Sequence, residues 1–164
     1  MIHCVARSNF GDFSQNMLLY RLAGPILFLA ATVSASGSEV VVGAVKTCQG
    51  NVSIIRGGQT IIAHEGDHIL LDDTMQTAAN SMLAAILLDG TRLSLGPNTE
   101  LKVDKFVYQP ADGKFGMLLR LAKGALAYVS GKIAQFSVGS VSVETPAGVL
   151  GLRGTEFAIS IDGN

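Results

Sequence analysis

Leu87-Leu88-Asp89-Gly90-Thr91-Arg92-Leu93-Ser94-Leu95 is the stretch that decides the fold. The Ala-rich text before it, Thr77 to Leu88, is compatible with a helix. Asp89-Gly90 points the other way, because two residues that tolerate positive φ, set between an apolar pair and an alternating run, mark a tight hairpin. Beyond the turn, Leu93 and Leu95 alternate with Arg92 and Ser94, a period of two that buries one strand face and wets the other. Outward from this stretch the pattern repeats: Leu101 and Val103 flank Lys102, Val141 and Val143 alternate with Ser142 and Glu144, and Phe157, Ile159 and Ile161 alternate with Glu156, Ala158 and Ser160. Gly50-Asn51, Gly57-Gly58, Gly66-Asp67, Gly96-Pro97-Asn98, Asp112-Gly113 and Asp162-Gly163 supply turn chemistry between the runs. Gly139-Ser140 shifts the parity between Phe136/Val138 and Val141/Val143, which places a bulge or tight turn there. The expectation is an all-β fold of short antiparallel strands with Gly-rich turns, a sandwich or a solenoid-like sheet.

Composition agrees. The chain has 164 residues, 48% apolar and 15% charged, with 19 glycines and a net charge of −1, which fits one packed domain rather than a disordered chain. No clustered Lys and Arg offers an electrostatic footprint for DNA or RNA, so no nucleic-acid partner is expected. Cys4 and Cys48 are too few and too far apart for a zinc knuckle or redox pair, and the lone Cys48 of the body is expected to be buried as a small hydrophobe.

Leu22 to Val33 is a twelve-residue apolar run preceded by Arg21 and followed by Ser34-Ala35-Ser36-Gly37. That is the layout of a cleavable secretory signal, shorter than the roughly 20 apolar residues a spanning helix needs. Residues 1–16 read as a polar leader, 17–35 as the signal peptide with translation starting at Met17 and cleavage after Ala35, and 36–164 as the β domain. The expected location is periplasmic or secreted. The alternative is an uncleaved anchor that holds the domain on the periplasmic side of the inner membrane. The domain carries ten basic and twelve acidic side chains, which favours no charged partner.

Three strings imitate catalytic motifs. His64-Glu65-Gly66-Asp67-His68 is a literal H-E-x-x-H, but zinc chemistry needs both histidines on one helical face. Gly and Asp inside the string, and β-type runs on both sides, make it a hairpin with exposed histidines, and a zinc hydrolase built on His64 and His68 stays a remote alternative. Ser130-Gly131-Lys132 lacks the Walker spacing and the hydroxyl residue after lysine, leaving a strand followed by a turn. Asp72-Asp73 has the look of paired carboxylates for acid–base work or calcium, but adjacent strand residues face opposite ways and are poorly placed to share a site, so a solvated turn is expected. No enzymatic activity, metal or cofactor is expected.

The most specific text is Val143-Glu144-Thr145-Pro146-Ala147-Gly148-Val149-Leu150-Gly151-Leu152-Arg153-Gly154-Thr155-Glu156-Phe157. It resembles the FecR domain family, whose hallmark is a strand ending in Thr-Pro-x-Ala and then a Gly-Val-Arg-Gly-Thr-x-Phe segment. Ala63-His64-Glu65-Gly66-Asp67 is similar to the family's Ala-x-x-Gly-Asp turn, residues 87–95 to its Asp-Gly hairpin, and Leu119-Arg120-Leu121-Ala122-Lys123-Gly124 to its Leu-x-Leu-x-x-Gly strand. The resemblance runs from about Gly43 to Ile161. Asp72 stands where glycine is usual, Leu152 where valine is common, and the motif alanine is displaced by Gly148. The family-motif residues are thus Gly66, Asp67, Asp89, Gly90, Thr145, Pro146, Gly151, Arg153, Gly154, Thr155 and Phe157. Thr145 and Pro146 are expected to end a strand, because proline donates no ladder bond, while Gly151 and Gly154 let the backbone pass close to a neighbour or adopt positive φ. Arg153 is expected to clamp neighbouring carbonyls with its guanidinium, among Leu150, Leu152 and Phe157 as core.

The resemblance implies an extracytoplasmic all-β module without known catalytic chemistry. Members resembling the iron-citrate regulator relay a receptor's state across the membrane to an anti-sigma segment, for which the residues ahead of the apolar run are too few. The expectation is a free-standing exported binding module, a protein-binding signalling or scaffold domain whose partner is an envelope protein or a surface polymer. A structural or polysaccharide-associated role is the alternative. The strand at Phe157–Ile161 stops at a turn, so a C-terminally truncated domain that self-associates through an unpaired edge is also expected.

Overall fold

The structure, a computed structural model, describes residues 39–152 and 156–161. Its strands are β1 (Val41–Gln49), β2 (Val52–Arg56), β3 (Gln59–Ile62), β4 (His68–Leu70), β5 (Thr74–Thr77), β6 (Met82–Leu87), β7 (Arg92–Leu95), β8 (Glu100–Gln109), β9 (Lys114–Val129), β10 (Val141–Thr145), β11 (Gly148–Gly151) and β12 (Glu156–Ile161). One short helix, α1 (Lys132–Phe136), follows β9. The all-β expectation holds, and the hairpin at Asp89-Gly90 joins β6 to β7 with Leu83 opposite Leu95. Thr77 to Leu88 is therefore strand, turn and strand, not helix.

β9 organises the sheet. Its first part pairs with β8 and β10, and its last residues, from Gly124 on, pair with β7 and β12. One half of the curled sheet runs β3-β2-β5-β8-β9-β10-β11, the other β4-β1-β6-β7-β9-β12, and among the described residues every pairing is antiparallel except β9 with β10. Gly124 makes the change of partners possible. Its φ is +87°, and a Cβ there would meet the Thr99 side chain and come within 2.7 Å of the Asn98 carbonyl oxygen. Thr99, itself buried, fixes the corner by accepting the Ala125 N–H at 2.9 Å.

Between the two halves lies one core. Met75, Leu101, Val103, Leu119 and Val143 come from one side, Val45, Leu83, Leu93, Leu126 and Tyr128 from the other, with Ile133 of α1 added. Asp89 holds that helix in place. Its carboxylate accepts the Thr91 N–H (3.1 Å), the Thr91 hydroxyl (2.8 Å) and the Ile133 N–H (3.3 Å), while its carbonyl accepts the Lys132 N–H (2.8 Å). Three bonds to one buried carboxylate satisfy it without a counter-cation.

Four sequence expectations need correction. The chain ahead of Gly139-Ser140 is the helix α1 and not a strand, although the tight turn is there, with Ser140 donating to the Ser137 carbonyl at 3.2 Å. Phe136 is 64% exposed, and its ring stacks on Phe115 with centroids 5.5 Å apart. The His64–His68 string is a turn but not a hairpin, because β3 pairs with β2 and β4 with β1, so the turn crosses between the halves. Asp72-Asp73 is a solvated turn only at Asp72; Asp73 is 1% exposed. Cys48 is half-buried rather than buried, with Sγ 3.5 Å from the Ala63 carbonyl oxygen. Among the described residues no helix is long and apolar enough to cross a membrane. The leader and signal assigned to residues 1–35 lie outside the described residues, as do Arg153, Gly154, Thr155 and the terminal Asp162-Gly163 turn.

Candidate functional site

The family-motif text from Val143 to Gly151 folds into the hairpin β10–β11, closed by Pro146-Ala147 with Thr145 opposite Gly148. The Thr145 hydroxyl donates to the Gly148 carbonyl at 2.8 Å, so Thr-Pro ends the strand as expected and also staples the turn. β10 lies parallel to β9, Val143 beside Leu119. Among the described residues β11 pairs with β10 alone and forms an outer edge, with all four residues exposed.

Two expectations fail here. Gly151 has open space where a Cβ would be and no positive φ, so no close backbone passage requires glycine. Leu150 is 43% exposed rather than core. Leu152 does pack against the core and donates its N–H to the Val141 carbonyl at 3.0 Å. Phe157 on β12 stacks on Tyr128 at 5.0 Å, as a core position should.

On the outer face, charged side chains cross the strands beside the hairpin. Lys102 reaches Asp104 (2.7 Å) and Asp72 (2.9 Å), Arg120 reaches Asp104 (3.0 Å) and Glu144 (2.8 Å), and Gln76 donates to Glu100 (3.0 Å). The hydrogen bond to Asp104, then that to Asp72, raises the Lys102 ammonium's pKa, and the bond to Glu144 does the same for Arg120. Two cations face four carboxylates here, with Lys123 3.9 Å from Glu100 as a third, so the cluster has no cationic excess to attract an anion.

The remaining motif residues are placed separately. Gly66 and Asp67 sit in the exposed crossing turn, where Asp67 accepts the His64 N–H at 2.8 Å and lies 3.6 Å from its Nδ1, so the string has none of the helical convergence zinc chemistry needs. Among the described residues no three His, Cys, Asp or Glu gather to hold a metal ion. Asp89 and Gly90 form the β6–β7 turn already described. Sequence reading missed Asp73, which accepts Arg56 Nε at 3.0 Å, Arg56 Nη2 at 2.7 Å and the Leu70 N–H at 2.8 Å. Nothing local announces that pair, since Arg56 ends β2 and Asp73 lies in the turn between β4 and β5.

A curled, almost wholly antiparallel sheet with the β10–β11 hairpin at one end defines an all-β domain. Within that class the chain belongs to the FecR protein family, whose model matches residues 73–164, from β5 onward. The crossing turn at 63–67 precedes the matched residues. No curated protein and no solved structure matches the chain.

Proposed function

We propose that the chain is a non-catalytic, exported FecR-type module that binds a partner protein in the cell envelope, as a signalling or scaffold domain. The observation that carries this reading is the edge strand β11, four exposed residues with no charged side chain and no proline, lying within the family-motif text. Such an edge adds an extended segment of another chain by main-chain hydrogen bonding. The short apolar run at Leu22–Val33 supports export, and the periplasm is the compartment this reading requires. The polysaccharide alternative is weaker. Sugar sites use exposed aromatic plates, and here Tyr128 is buried and Tyr108 packs beside Phe115, centroids 6.2 Å apart, which leaves Phe136 as the one largely exposed phenyl ring among the described residues.

The test sets capture from envelope extract against a glycan array, with wild type and Val149→Pro. The expected outcome is enrichment of a defined protein by wild type, lost in a variant whose circular dichroism is unchanged. Glycan binding that Val149→Pro leaves intact, without protein capture, would overturn the reading, as would chelator-sensitive peptide hydrolysis.

A further inference from the structure

The seven-strand half ends in two hairpins of the same construction. Arg56 and Gln59 close one around Gly57-Gly58, and Thr145 and Gly148 close the other around Pro146-Ala147. In a two-residue hairpin the closing pair is hydrogen-bonded and bonded pairs alternate from there. The bonds from Ala63 N to Val52 O and from Leu152 N to Val141 O, both 3.0 Å, confirm that phase at the far ends. The N–H and C=O groups of Thr60 and Ile62 on β3, and of Val149 and Gly151 on β11, therefore point away from their hairpin partners. Neither strand carries a charge, a proline or a bulge, the devices that normally protect an edge.

Strand polarity matches the two edges to each other. Seven strands alternating throughout would leave the outer two running the same way. The single parallel pairing of β9 with β10 reverses this, so β3 and β11 run in opposite directions. We propose that copies of this chain join head to tail, β11 of one adding antiparallel to β3 of the next and prolonging the seven-strand half as a continuous sheet. One register satisfies every outward group: Ile62 opposite Val149 and Thr60 opposite Gly151, each pair exchanging both of its hydrogen bonds. The same register matches the exposed apolar side chains. Ile62 (71% exposed) meets Val149 (63%) on the outer face, because their hairpin partners Ser53 and Glu144 face outward. Ile61 meets Leu150 on the core side, because theirs are the buried Ile54 and Val143.

The contact is heterologous, so it continues rather than closing on a dimer. Four residues on each side bury far less than the roughly 1,200–2,000 Å² of a stable interface, so assembly grows with concentration. This inference rests on the reading of strand edges as the binding surface and names the partner as a second copy.

The test is sedimentation of the full chain across a concentration series. Wild type should gain mass without a plateau. Val149→Pro and Ile62→Pro, each removing one outward N–H, should each stay monomeric, yet their equimolar mixture should give a one-to-one dimer, because each variant keeps the edge the other lacks. Val149→Lys and Ile62→Lys repeat the test at already exposed side chains should either proline variant lose its circular dichroism. Wild type that stays monomeric at every concentration, an Ile62→Pro variant that dimerises alone, or association indifferent to all four substitutions would overturn the proposal. A monomeric wild type whose Val149→Pro variant loses its envelope partner would remove self-assembly and leave the protein-binding reading standing.

Discussion

The hydroxyl of Tyr128 is buried beside Thr91 without a partner in hydrogen-bonding geometry. Burial, foremost, and then the Asp89 carboxylate raise its pKa against a lowering by Thr91. A group whose proton is held more tightly in the folded state stabilises fully below its unfolded value, here 10.0, and that contribution is lost as pH rises through the folded value. Lys102 acts with the same sign at higher pH. Tyr128→Phe should therefore change thermal stability at neutral pH by less than about 1 kcal/mol, since no bond is broken, and should flatten the decline of Tm above pH 10, leaving the Lys102 share. An alkaline limb identical to wild type would show that the hydroxyl ionises freely. Asp73 is the opposite case. Its removal in Asp73→Ala leaves the Arg56 fork and the Leu70 N–H without their acceptor, and chemical denaturation should record a loss of about 3 kcal/mol.

Among the elements, β9 carries the most consequence, and within it Gly124. Gly124→Ala forces a Cβ into Thr99 and the Asn98 carbonyl at a left-handed φ, and should cost more than about 2 kcal/mol. Gly151→Ala, the same chemistry on β11 in open space, should change stability by under about 0.5 kcal/mol. Equal effects at the two positions, measured by thermal denaturation, would refute the partner switch at Gly124 as the corner of the fold. Helix α1 is too short to persist alone and exists because Asp89 receives its first N–H groups and Ile133 enters the core. That tertiary dependence is why the text around Lys132–Phe136 reads as strand.

The whole domain has one core fed by both halves and one strand shared between them. Neither half can keep its apolar face covered once the other leaves, so unfolding should be a single cooperative transition. Far-ultraviolet dichroism and the near-ultraviolet signal of Tyr128, packed on Phe157, should fall together. Separated midpoints would mean that β9 does not couple the halves.

Local chemistry wrote much of this protein into its sequence. Asp89-Gly90 and Gly57-Gly58 specify tight turns because few residues accept positive φ, and the period of two in Leu93/Leu95 or Val141/Val143 specifies strands because pleated side chains alternate. The text from Val143 to Phe157 was enough to indicate the family. What no single stretch contained was which strands would meet. The pairing of Arg56 with Asp73, the exposure of Leu150, the crossing of the His64–His68 turn between halves and the opposed polarity of β3 and β11 all depend on the order of strands in the sheet. Long-range pairing decides that order, because the free energy of joining two distant strands resides in the shared core and in neither strand alone.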